Sequence, residues 1–378
     1  MKKKTAGIIT MHKVMNYGSV LQAYALQQAI TNLGYNTEII DYTYPNNFHL
    51  KNQPKKSLSY KIAKFGFGIM RKILFSVLYQ GDKKSKINSF SKRYLNLSSK
   101  TYDTVESIQL NPPEYNVYIT GSDQVWNPTF TLADDIFMLS FVDDSRKKVA
   151  YAPSVTMRNI PNEYKDVFKN NLSQYASLSV RDKYSADDLT KLLNRPVSTV
   201  CDPVLLLSQK DYGPIISDSK LKIKEKYILL YILDYMFNPY PEIVSIIKNI
   251  REQFNYPVYF IWGKKKHSLD CGADKYIPVP SVGDFLYLIK NAEMVITTSF
   301  HGTAFSLIFR KQFLSIVNNS DKDSRIGDLL NQVGLGNYCK DIKSKIDKYD
   351  PIDYEKVGDD IEKYINESRK FLEGSFER

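Results

Sequence analysis

One histidine stands where an apolar run gives way to a helical pattern. Between Ala292 and Arg310, the β-type residues Met294 to Ile296 stop in small polar residues, and helical spacing (Ala304, Phe305, Leu307, Ile308) begins after His301-Gly302. That pattern predicts a strand, a tight turn and a helix N-terminus. In open α/β sheets ligands sit beyond the carboxyl ends of the strands, where a helix start offers unpaired N–H groups and partial positive charge to an anion. His301 can give and take a proton near neutral pH, and Gly302 lets a ligand come close to the backbone. The same letters also fit a plain capped helix, with Ser299 or Thr303 as the cap and His301 packed beside it.

Three further polar tips follow strand-like runs: Asn16-Tyr17-Gly18-Ser19, Gly121-Ser122-Asp123 and Arg181-Asp182. Arg325, in Lys322-Asp323-Ser324-Arg325, adds a second guanidinium. Together they supply an imidazole, two arginines, a carboxylate and the amides of two helix starts. Guanidinium forks match phosphate and carboxylate, so the expected pocket takes a small anion carrying one or both. Ordinary ion pairs with Asp182 or Asp323, and an Asx-turn at Asp123, are the competing readings. Several chemistries lack their residues. G-x-G-x-x-G is absent after the first strand, and G-x-x-x-x-G-K-[ST], H-E-x-x-H and G-x-S-x-G are absent altogether. Four scattered histidines predict no metal site, and no cofactor is expected.

The elements that must position these tips alternate as strands and helices. Residues 5 to 11, a helix after Ser19 and a strand over Thr37 to Tyr42 form a parallel-sheet opening. The alternation resumes at Val117 to Thr120 and restarts after a lysine-rich stretch. A chain of 378 residues suggests two domains at ~100–200 residues each. The expected organisation is an α/β N-terminal domain over 1–207 with a helical insertion at 43–100, a linker at 208–226 and an α/β C-terminal domain over 227–340. A last helix, over 350–378, could cross back to the first domain. Two Rossmann-like domains facing a cleft is the predicted architecture.

Charge is concentrated. Between Lys51 and Arg93 lie twelve basic residues and one acid, a net +11 that equals the charge of the whole chain. The insertion's apolar stripe (Phe65, Ile69, Ile73, Val77) around Arg71 and Lys72 fits either an anionic membrane surface or a hairpin packed on its own domain. Nucleic acid is not expected, because no matching fold signature accompanies the charge. Three widely spaced cysteines give no disulfide framework. No stretch approaches the ~20 apolar residues of a membrane span, and a cytoplasmic location is expected.

Asn16-Tyr17-Gly18-Ser19-Val20-Leu21-Gln22-Ala23, Tyr118 to Trp126, Ser179-Val180-Arg181-Asp182, Asp202-Pro203-Val204 and Ser299-Phe300-His301-Gly302 occur in this order in chains of the polysaccharide pyruvyl transferase family, which this sequence resembles. The resemblance implies a two-domain fold like the B-type glycosyltransferases. It also implies transfer of pyruvate from phosphoenolpyruvate, as co-substrate, onto two hydroxyls of a sugar, forming a ketal and releasing phosphate. Arg181 would hold the donor's charged groups, His301 would transfer protons, and Asp123 would activate the acceptor hydroxyl from the facing domain. The chain departs from the family in carrying Ser299 where an arginine is usual, with Arg325 or Arg310 as substitutes. A lipid-linked saccharide acceptor would give the basic segment 51–93 a purpose, docking the protein on the inner face of the membrane. Two other readings stay open: a B-type glycosyltransferase using a nucleotide sugar, and a catalytically silent protein that binds a saccharide or anion.

Overall fold

The computed structural model describes residues 3–43, 82–233, 237–262, 271–318, 325–346 and 348–377. Its frame is two parallel sheets. The first contains β1 (Thr5–Ile9), β2 (Asn36–Tyr42), β3 (Leu97–Tyr102), β4 (Val117–Thr120), β5 (Lys148–Ala150), β6 (Ser177–Val180) and β7 (Ser198–Thr199). Their spatial order is β3-β2-β1-β4-β5-β6-β7. The second contains β8 (Ile228–Tyr231), β9 (Val258–Trp262), β10 (Lys275–Pro278), β11 (Met294–Thr297), β12 (Gln312–Val317) and β13 (Cys339–Asp341), in the order β10-β9-β8-β11-β12-β13. Every strand pairing within them is parallel. Both sheets therefore reverse direction once, between β1 and β4 and between β8 and β11. Those reversals open crevices at the carboxyl ends of the strands.

Local sequence explains the elements that flank the crevices. The helix Tyr17–Asn32 starts where the Asn16 side chain accepts the N–H of Gly18, and it is buried on nearly every side. Such a helix must lie between two layers rather than on a surface. Here one layer is the first sheet and the other is the second domain. Tyr17 stacks on Phe285 at 4.8 Å and donates its hydroxyl to the carbonyl of Pro280 at 2.8 Å. A single apolar cluster runs from Ile8 and Val20 through Tyr212 to Phe285 and Phe305, so the two domains share a core. Each sheet has a second core on its far face, built around Phe137 and Trp126 in the first domain and around Ile247 and Phe260 in the second.

Three stretches add detail to the sequence expectation. Residues 208–226 lie between the last strand of the first sheet and the first of the second and pack along the way: the short helix Gly213–Ser217 buries Ile215, and Tyr212 donates to the carbonyl of Val204 at 2.8 Å. A Cβ at Gly283 would lie 2.5 Å from the carbonyl oxygen of Ile215, so this segment docks on the helix Val282–Asn291 at backbone contact distance. The end of the segment 43–100 is β3, an edge strand whose four consecutive polar residues, Ser98 to Thr101, give no strand period. The expected helix at Ile62–Tyr79 lies outside the described residues. Residues 82–94 are helical and lie against the second domain: Lys86 Nζ donates to the carbonyl of Val279 at 2.7 Å, and Arg93 pairs with Asp218 at 3.0 Å.

The C-terminal helix Tyr354–Phe376 begins on the second domain, where Tyr354 donates to the carbonyl of Lys311 at 2.6 Å. It ends on the first, where Cys201 N–H donates to Ser368 Oγ at 2.8 Å and Phe376 meets Tyr35 at 4.8 Å. Among the described residues no helix is long and apolar enough to cross a membrane. A Gly283→Ala substitution should lower the unfolding free energy by about 1–3 kcal/mol, because the methyl meets backbone that cannot yield locally. Urea denaturation checks this, and an unchanged midpoint would contradict the docking of 208–226.

Candidate active site

The two crevices face one another, and a buried carboxylate stands between them. Asp202 follows β7 at the start of a short turn that begins with Pro203, and its Oδ1 accepts the N–H of Val204 at 3.1 Å. Its other oxygen accepts from Arg181 Nη1 at 2.7 Å and from Ser122 Oγ at 3.1 Å. From the second domain, His301 Nε2 lies 3.6 Å from that same oxygen. This is ion-pair range but too long for a hydrogen bond. Burial opposes ionisation of Asp202; the His301 imidazole, the Arg181 guanidinium and the Val204 N–H outweigh it and hold the carboxyl well below the usual range.

Arg181 is held from three sides. It pairs with Asp202, its Nε lies 3.8 Å from Asp182, and its guanidinium sits 4.3 Å above the ring of Phe300, which belongs to the second domain. Burial works against its charge, but Asp202 and Asp182 raise its affinity for the proton, with Arg325 opposing. Among the described residues its one side-chain hydrogen bond is from Nη1, and Nε has no partner. Arg325 begins the helix Arg325–Gln332 and is 7% exposed. Arg181, Arg325 and Lys183 line one pocket with Asp202, Phe300, Asp328 and Tyr364. Its free volume of about 10 Å³ is room for about one water.

His301 differs from the other histidine among the described residues. His12 is satisfied at both ring nitrogens, by the carbonyl of Thr10 at 3.1 Å and by Asp41 at 2.9 Å. His301 Nε2 has no hydrogen-bond partner although the residue is 8% exposed. Its ring is pressed against Gly18 of the first domain, where a Cβ would lie 2.0 Å from Nδ1. Only glycine admits this approach.

The remaining expected residues take mixed parts. Asn16 caps its helix, Tyr17 bridges the domains, and Ser19 donates to Asp123 Oδ2 at 2.5 Å. Asp123 also accepts the N–H of Gln124 at 2.9 Å and holds a left-handed φ of 75°. Such strain in a residue without a glycine's freedom clusters at functional sites. Gly121 donates its N–H to the carbonyl of Ile9 at 2.9 Å, a structural contact. Ser299 is the helix cap, accepting Gly302 N–H at 3.2 Å. At Gly302 a Cβ would meet Thr297 Oγ1 at 2.5 Å, so this glycine lets the turn pack on β11. Arg310 is not at the site. It follows the far end of the His301 helix, half exposed and 4.0 Å from Glu355.

A model of the polysaccharide pyruvyl transferase family matches residues 16–320. The chain belongs to that family. Transfer of a pyruvyl group to polysaccharide is the activity for which the family is named. Solved structures with similar shape include the UDP-GlcNAc 2-epimerase of Methanocaldococcus jannaschii (14% identity, 97% of this chain and 94% of that one, TM-score 0.46). MnaA of S. aureus with UDP is another (13% identity, 99% and 91%, TM-score 0.47). A sequence relative, the bifunctional thiamine biosynthesis protein ThiDN of M. jannaschii, is 29% identical over 130 residues, 33% of this chain and 28% of that protein.

In this pyruvyl transferase family chain, sequence reasoning singled out Asp202 as part of a motif but gave it no role. Its cap position next to Pro203 concealed a carboxylate that also turns inward. Phe300 was passed over as a helix-face apolar residue. Asp328 and Tyr364 carry no local signal, since each looks like an ordinary member of an amphipathic helix, and both lie beyond the family match.

Asp328 offers a test of the pocket's electrostatics. Burial, with the Asp182 charge adding, pushes its carboxyl up to about 6 from 3.8, and Oδ2 has no partner. The folded state thus holds an extra proton between about pH 4 and 6, so this group's contribution to stability declines as pH rises through that window. Asp328→Asn should remove the decline. The variant should match wild type near pH 4 and exceed it by about 1–3 kcal/mol at pH 7 in urea denaturation. A gap that does not change with pH would contradict it.

Proposed function

We propose that the protein transfers pyruvate from phosphoenolpyruvate to two hydroxyls of a sugar in a cell-surface polysaccharide precursor. The observation that carries this reading is the meeting of His301 from one domain and Arg181 from the other on one carboxylate oxygen of Asp202, beside a pocket lined by Arg181, Asp202 and Arg325. Family membership supports pyruvyl transfer, and the residue types fit a donor with a carboxylate and a phosphate.

In the proposed reaction His301 delivers a proton to the methylene carbon of the enol, leaving cationic character at the next carbon. A first sugar hydroxyl adds there and loses its proton toward Asp123. The carbon's bond to the phosphate oxygen breaks, and a second hydroxyl adds to that carbon and gives its proton to His301, closing the ketal. Phosphate leaves with the electron pair of that bond. Asp202 faces the imidazole and supplies counter-charge while protons move. The arginines neutralise the donor and the departing phosphate. Arg325 takes the place of the arginine that the family carries at position 299, because Ser299 is occupied with its own helix. Because the pocket is closed, the domains part to admit the donor and close again over it. The acceptor is carried on a lipid phosphate, and the basic segment 51–93 draws the protein to an anionic leaflet. Lys86 and Arg93, at the end of that segment, are engaged with Val279 of the second domain and Asp218 of the segment 208–226, which leaves this task to the other basic residues of 51–93.

Phosphate release from phosphoenolpyruvate in the presence of candidate sugars is the test. His301→Ala should reduce the rate about 10²–10⁴-fold. Gly18→Ala, which displaces the ring without removing it, should reduce it about 10–10²-fold. No release with any sugar, alongside turnover of a nucleotide sugar, would overturn the reading.

A further inference from the structure

The wall of the anion pocket is completed by a part of the chain beyond the family match. Arg325, Asp328, Leu329 and Gln332 come from one helix, and Tyr364 comes from the C-terminal helix that spans both domains. Tyr364 lies one turn before Ser368, whose hydroxyl donates to the Tyr364 carbonyl at 2.8 Å and accepts the N–H of Cys201. Its side chain is therefore held against the segment that carries Asp202. The residue is 9% exposed, and among the described residues its hydroxyl has no hydrogen-bond partner. Burial acts on the phenol most, followed by Cys201, Asp182, Arg181 and Asp202; of these, Arg181 and Asp202 line the same pocket.

Two guanidiniums and a spare O–H donor on one pocket are complementary to an oxyanion. We propose that Tyr364 is a ligand-contacting residue whose hydroxyl donates to a phosphate or carboxylate oxygen held between Arg181 and Arg325. The inference deepens the pyruvyl-transfer reading and rests on it for the identity of the anion. It gives the C-terminal helix a task beyond packing: the element that ties the domains also closes the donor pocket. Burial keeps the phenol protonated, so it remains a donor across the working pH range.

The experiment is calorimetric titration of the full chain with inorganic phosphate and, separately, with pyruvate. Their relative affinities show which oxyanion the phenol meets. Tyr364→Phe should weaken binding of the preferred ion about tenfold while leaving the melting temperature of the free protein unchanged. Ser368→Ala, on the same helix, should lower the melting temperature and leave anion affinity as it was. Wild-type affinity in Tyr364→Phe, with affinity lost in Arg325→Ala, would overturn the inference and leave the anion pocket intact. Failure of the wild type to bind either ion would overturn it too. Anion binding that is sensitive to Tyr364→Phe, in a protein that releases no phosphate from phosphoenolpyruvate, would sustain the inference and remove the pyruvyl-transfer reading.

Discussion

A carboxylate with no exposed surface has to be compensated where it lies, and Asp202 is compensated by groups from four separate places in the chain. Ser122 follows β4, Arg181 follows β6, Val204 is the next turn, and His301 belongs to the other domain. Removing a buried charge from water costs far more than any one of these contacts returns, so the set acts together or fails together. The ends of two strands and the start of a helix in a different sheet are consequently fixed with respect to one oxygen atom. The catalytic geometry proposed above is a by-product of that requirement.

The same constraint bears on how the domains move. The apolar cluster that runs between the sheets favours the closed arrangement, and so do the Tyr17–Phe285 stack and the placement of Arg181 over Phe300. In the proposed reaction a donor anion competes with Asp202 for Arg181 and brings more than one negative oxygen to do so. The C-terminal helix is anchored at both ends, so opening has to bend or slide it rather than release it.

Much of this was readable in the letters. Long β-type runs that end abruptly in small polar residues located the tips carrying Ser19, Asp123, Arg181 and His301, because parallel strands buried on both faces are apolar throughout and their ends stand out. Edge strands were not readable. Leu97–Tyr102, Lys275–Pro278 and Cys339–Asp341 have one neighbour each, are short and largely uncovered, and show no alternation, so no strand period registers. How the linker 208–226 packs was not readable, because its lysines dominate the composition while Tyr212 and Ile215 decide where it goes. Asp202 was legible as part of a motif and not as the charge between the domains, and Tyr364 carried no signal at all. In both cases the deciding information is which distant residues lie opposite, and no local pattern encodes that.

The account stands on coupling between His301 and Asp202 across the domain boundary. A double-mutant cycle measures it directly: urea unfolding free energies of wild type, His301→Ala, Asp202→Asn and the double variant, at one pH and salt concentration. An interaction energy of about 1 kcal/mol or more is predicted, with the double variant losing less than the sum of the two single losses. Additivity within a few tenths of a kcal/mol would show that the imidazole and the carboxylate are neighbours without being partners, and the interdomain site described here would not stand.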